Sequence, residues 1–191
     1  PVEAQQLPRI GGFSADSISV ETIISLKPDL VLADAAGQEP VIEALERANV
    51  KVIVAGAASL DDVYADIVMI GKASGHDAEA AAVVADMKER VAAVTKKIES
   101  VPPENRPTVF WEIWDEPLMT AGPGTFIGQM IEMAGGINIF ADLKEDYPQV
   151  SVEEVVKRNP AYILGPNSHA DKLTAEQLMT RPGWDQIDAV R

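Results

Sequence analysis

Apolar and polar positions change period several times along the first part of the chain. "SISVETIISLKP" (17–28) spaces its apolar residues for a short helix, with Ser19 as N-cap and Pro28 as its stop. "DLVLA" (29–33) is a short apolar run of the kind that makes a strand covered on both faces. "EPVIEALERA" (39–48) predicts an amphipathic helix with Pro40 in its first turn, and "VKVIVA" (50–55) a second strand. A further helix follows over "SLDDVYADIVMIGKAS" (59–74). Strands and helices alternating at this spacing predict βαβ units and a mainly parallel sheet.

The pattern then breaks. Residues 77–100 carry no strand signal, and Val84, Met87, Val91, Val94 and Ile98 recur at spacings of three and four. Two readings fit this long helix: a surface helix on a single domain, or a rigid connector between two lobes. Beyond "VPPENRP" (101–107) the alternation restarts with a strand over 108–113, helices over 125–134 and 151–159, a strand over 161–165 and a helix over 174–180. "SVETIISLKPDLVLA" and "SVEEVVKRNPAYILG" share one plan: Ser-Val-Glu, an apolar helix, Pro, then a strand. Their places in the two halves favour paired α/β lobes. The division expected is residues 1–75 for the first lobe, 76–101 for the connector and 102–191 for the second.

Composition narrows the function classes. A net charge of −14 supplies no basic stripe for nucleic acid and disfavours an anionic membrane surface. The chain has no cysteine, which removes disulfides, thiolate metal sites and cysteine nucleophiles. No apolar run reaches the length of a membrane span.

Ligands of open α/β sheets gather outside the carboxyl ends of the strands. One such end is "VFWEIWDEPLMTAGPGTF" (109–126), which holds two of the three tryptophans. Trp111 should pack inward with Val109 and Ile113. Trp114 stands at the strand exit, with Glu112 on its face by the two-residue period. An indole there either packs or meets a ligand, and a broad flat guest suits it better than a small sugar. The Gly-Pro-Gly at 122–124 lacks a following Gly-Lys-Ser/Thr, so a tight strand-to-helix turn explains it better than a phosphate loop. His76 and His169 are the only histidines and fall in different halves, which argues against a preformed metal site. No Gly-x-Ser-x-Gly elbow is present, and the carboxylates show no spacing that demands acid–base roles. Glu21 and Glu153 occupy matching first-turn positions, where the helix dipole favours an acid. That alone accounts for them; paired docking to a two-fold partner is the alternative.

Two blocks, "LPRIGGFSADSISVETIISLKPDLVLA" and the stretch from "VFWEIWDEPLMTAGPGTF" through "AGGINIF" and "DYPQVSVEEVVKRNPAYIL", resemble the cobalamin- and iron-chelate-binding proteins that serve bacterial ABC importers. The resemblance implies two α/β lobes joined by one long helix, with ligand held between them and no enzymatic step. Phe13 then matches a cleft aromatic of the first lobe, and Trp114, Glu112, Asp115 and Met119 fall in the lining segment of the second. His169 lies in a variable rim loop. Glu21 and Glu153 match acids that seat each lobe on the permease dimer with its ATPase. The implied ligand is a metal chelate, a corrinoid first and a ferric siderophore or haem next, with no resident cofactor or metal of the protein's own. A haem receptor would offer an axial Tyr or His, for which Tyr147 and His169 are the candidates. An exported, periplasmic or membrane-anchored location is implied too. Compared with that pattern the chain lacks an opening strand–helix–strand stretch and a closing strand and helix. A shortened chain is therefore expected, with oligomerisation through the open lobes as one outcome. The alternative function is a chelatase-like enzyme inserting metal into a tetrapyrrole on a related scaffold.

Overall fold

The computed structural model describes residues 6–12, 14–166 and 173–191. The chain is α/β and divides into two compact units, residues 1–57 and 58–191, each with its own sheet.

In the first unit α1 (Val20–Ser25) leads into β1 (Val31–Asp34), and α2 (Glu39–Arg47) into β2 (Val52–Ala55). The two strands pair in parallel, Val31 opposite Val52 through Asp34 opposite Ala55. Ile23, Val41 and Leu45 from the two helices form the core, and Val31 and Val52 pack against it.

The second unit opens with α3 (Leu60–Ser74) and α4 (Asp77–Ile98). The sequence-based boundary at 75/76 would place α3 with the preceding strands. Here α3 groups with α4, and the two helices approach so closely that a Cβ on Gly71 would lie 2.3 Å from that of Ala80. The expected apolar stripe of α4 is only partly covered. Ala80 is its one buried residue and Val94 is 46% exposed. The reason is that α4 meets α3 at one end and α5 (Phe126–Met133) at the other. Between these contacts Met87, Val91 and Val94 line a groove with Phe126, Met130 and Met133. At the far end Gly135, with φ of +81°, caps α5 against Ile98; a Cβ there would come within 2.6 Å of the isoleucine side chain.

The sheet of this unit is built around β3 (Thr108–Asp115). Its Val109 pairs at once with Asn138 of β5 (Ile137–Asn138) and Tyr162 of β6 (Tyr162–Leu164), both parallel. Further along, β4 (Leu118–Thr120) returns antiparallel. Asn138, buried, donates to the Ala121 carbonyl (2.8 Å) and accepts from the Phe140 amide (3.0 Å), so the Gly-Gly-x-Asn run ties β5 to the exit of β4. The core holds Phe110, Phe140 and Trp184, with Phe110 edge-on to the other two at 6.0 and 6.2 Å. On α6 (Val152–Arg158), Arg158 lies 4.5 Å over the Phe140 ring and reaches Asp142, Glu154 and the Ile139 carbonyl. Its hydrogen bonds hold the Asp142 and Glu154 carboxyls below their usual range. The last helix, α7 (Ala175–Thr180), begins with a capping box between Thr174 and Gln177.

The two matching sequence segments fold alike. Ser19 caps α1 by accepting from the Thr22 amide (3.1 Å), and Ser151 caps α6 by accepting from the Glu154 amide (3.2 Å). Ile23 and Val155 fill the same place in the two helices, and both are buried. Lys27 and Asn159 take the left-handed conformation (φ of 51° and 44°) that lets each chain turn at Pro28 or Pro160 into a parallel strand. Ser151→Ala should cost the second unit about 1 kcal/mol, read as a lower urea midpoint with an unchanged slope.

Candidate functional site

The candidate site takes shape where β3 leaves the sheet. As far as Glu112 the strand keeps regular register, with Glu112 opposite Thr120. The next pairs are Trp114 with Met119 and Asp115 with Leu118, so Ile113 is an extra residue on β3. A bulge of this kind increases twist and re-aims the side chains beyond it. It also breaks the strict alternation expected of Glu112 and Trp114. Glu112 is 5% exposed and turns into the protein, whereas Trp114 is 50% exposed.

Hydrogen bonds hold the hairpin beyond the bulge. The Trp114 indole N–H donates to the Glu116 carbonyl (2.8 Å), and the Glu116–Pro117 peptide is cis. Residues 146–150 then run beside β4, where Thr120 donates to the Pro148 carbonyl (3.1 Å) and Val150 to that of Leu118 (2.9 Å). Gln149 sits opposite Met119. Trp114, Met119 and Gln149 therefore stand in one cross-strand row, and Tyr147, 53% exposed, begins the same edge segment. The Gly-Pro-Gly turn closes the region. Gly122 donates to the Asp146 carbonyl (2.7 Å), a Cβ on it would fall 2.1 Å from the Glu145 carbonyl oxygen, and Thr125 caps α5. The turn is thus used for close packing.

Of the residues expected from sequence, Trp114, Asp115 and Met119 come together on this hairpin, and Glu112 lies at its root. Its carboxylate is not presented to solvent. It is held by both terminal nitrogens of Arg181, Nη2 at 2.8 Å from Oε1, and the guanidinium lies 4.6 Å over the Trp184 ring. Trp111 is half-buried, and the fully buried indole is instead Trp184. Phe13 and His169 lie outside the described residues. Glu21 and Glu153 are exposed in the first turns of their helices, one in each unit. Among the described residues no group of three or more His, Asp or Glu side chains is placed to hold a metal, and no helix is long and apolar enough to cross a membrane.

Arg181, Trp184 and the pairing of residues 146–150 with β4 are absent from the sequence-based expectation, which named only Tyr147 of that segment. One signal did point to the first: a glutamate flanked by Trp111 and Ile113 in a central strand needs a cation when buried. Sequence spacing does not say which cation.

The chain as a whole is similar to known proteins in sequence and fold. A cobalamin-binding protein of Halobacterium salinarum is 38% identical over 177 residues, covering 90% of this chain and 46% of that protein. The crystal structure of the periplasmic vitamin B12 binding protein BtuF of Vibrio cholerae matches with a TM-score of 0.75 at 25% identity, over 98% of this chain and 71% of that one. The periplasmic haem-binding protein RhuT of Roseiflexus in apo form gives a TM-score of 0.83 at 26% identity, over 100% and 73%. The chain spans about half the length of the Halobacterium relative. Since the periplasmic binding protein family matches it from residue 2 to residue 191, the chain belongs to that family.

Proposed function

We propose that this chain is the substrate-binding part of an ABC importer for a metal chelate, a corrinoid first and a ferric siderophore or haem next. The observation that carries the reading is the half-exposed Trp114 on a braced hairpin at the carboxyl end of the hub strand. The relatives named for cobalamin, vitamin B12 and haem support the choice of ligand class. Trp114, Met119 and the Tyr147 edge form a broad surface of aromatic and thioether groups, suited to a flat macrocycle by stacking and soft contact. Tyr147 also carries a phenol that suits an axial position on haem iron. In this reading the chain binds and delivers its ligand outside the cytoplasm, without covalent chemistry.

The test is retention. The protein is incubated with cyanocobalamin, a ferric siderophore or haemin, desalted, and its absorbance spectrum recorded. Retention of the corrinoid is expected, and retention of none of the three refutes the reading. Glu21 and Glu153 are proposed to dock each unit onto basic sockets of the permease dimer. Glu21→Lys with Glu153→Lys should weaken association with the reconstituted permease about tenfold or more, while chelate affinity stays within about twofold. Unchanged association would remove the docking role.

A further inference from the structure

We propose that Arg181 is a positioning residue, which through its two-pronged hold on Glu112 sets the direction in which the Trp114 hairpin leaves the sheet. The inference rests on the hairpin being a wall of the ligand site.

Three features place the hold at the decisive point. Glu112 is the last residue of β3 in regular register, and the extra residue Ile113 follows at once. Whatever fixes the Glu112 side chain thus fixes the base from which the bulge departs. Next, Arg181 is itself immobilised. Its guanidinium carbon lies 4.6 Å over the buried Trp184 ring while both terminal nitrogens engage the carboxylate. A planar fork held over a ring face and bonded through both prongs has little freedom left. Finally, β6 ends against the same strand position, since a Cβ on Gly165 would approach the Glu112 carbonyl oxygen to 3.3 Å.

Electrostatics agree with the geometry. The Arg181 pKa is raised, first by the Glu112 hydrogen bond, against opposing desolvation, and then by the charges of Glu112 and of Asp115 beyond the bulge. The cation is thereby felt on both sides of Ile113.

Stability alone is a poor reason for such a pair. Well-packed apolar side chains of similar volume often replace a buried ion pair without loss. What they do not replace is direction, because dispersion contacts tolerate sliding and a bidentate guanidinium–carboxylate pair does not.

The experiment separates these roles with Arg181→Met, Glu112→Leu and the double variant. It reads thermal stability, the indole N–H signal of Trp114 in two-dimensional NMR (assigned with Trp114→Phe), and affinity for cyanocobalamin and haemin. Either single variant should lose stability. The double variant should recover most of it, yet keep a displaced Trp114 signal and bind about tenfold more weakly, the scale of one lost aromatic anchor. A double variant with the wild-type Trp114 signal would overturn the proposal. Should it fail to fold, Arg181→Lys, which keeps the cation and loses the fork, carries the same comparison. If the wild-type protein retains no chelate, the proposed function falls, while the NMR signal still decides whether Arg181 positions the hairpin.

Discussion

Replacing Trp184 with alanine should destabilise the second unit by about 3–5 kcal/mol, the range for emptying a large aromatic site. The ring has no exposed surface, lies edge-on to Phe110 and carries the Arg181 guanidinium on its face. Alanine therefore removes a core anchor and the support of the Glu112–Arg181 pair in one step. Cores relax only partly around such a hole, so the loss should far exceed that of the Ser151 cap. Trp184→Phe should be much milder. The indole N–H has no hydrogen-bond partner among the described residues, so phenylalanine gives up packing area without orphaning an acceptor. Thermal unfolding checks both. On the scale of a few degrees per kcal/mol for a chain this long, alanine should lower the midpoint by about 10 °C, and phenylalanine by well under half of that.

Trp114→Ala should show the opposite profile. The side chain is half exposed and its N–H is served by a neighbouring carbonyl within the hairpin. Truncating it should therefore change stability by less than about 1 kcal/mol. Ligand binding should suffer far more, because a stacked indole contributes contact area on the order of 150–250 Å². A loss of about 10- to 100-fold in chelate affinity is expected, corresponding to roughly 1.4–2.8 kcal/mol. Titration followed by absorbance or calorimetry measures it directly. Unchanged affinity would move the binding surface away from this hairpin and leave the exposed indole unexplained.

The contrast between these two tryptophans shows how far the sequence could be read. Local rules served the helices well. Ser19 and Ser151 cap where their side chains have an amide to accept, and Pro28 and Pro160 stop the helices they follow. The repeated segment even carried its left-handed turn, since Lys27 and Asn159 hold equivalent places. The place of Trp114 at the strand exit was legible from where the apolar run ends, and of the two readings left open there, packing or meeting a ligand, the structure leaves the ring half exposed. Glu112 was legible only by half. Period two put it beside Trp114, but a one-residue slip in β4 pairing reversed that outcome, and no composition signal marks such a slip. Its partner Arg181 lies 69 residues away, a distance over which no periodicity carries information. Trp184 drew no sequence-based expectation, because the short helical turn that buries it is defined by contacts with Phe110 and Ile187, not by its own neighbours. The stripe on α4 had the right spacing, yet spacing does not report how much of a helix another element covers.

The register slip at Ile113 also divides the strand into two mutational regimes. Residues 108–112 answer to the sheet and the aromatic core, so most exchanges there risk the fold. Beyond the slip Trp114, Asp115 and Glu116 are exposed and carry little of the core, before Leu118 returns to it. Under the proposed function, guest preference can therefore drift by changing the few exposed side chains past that offset, without renegotiating the architecture beneath.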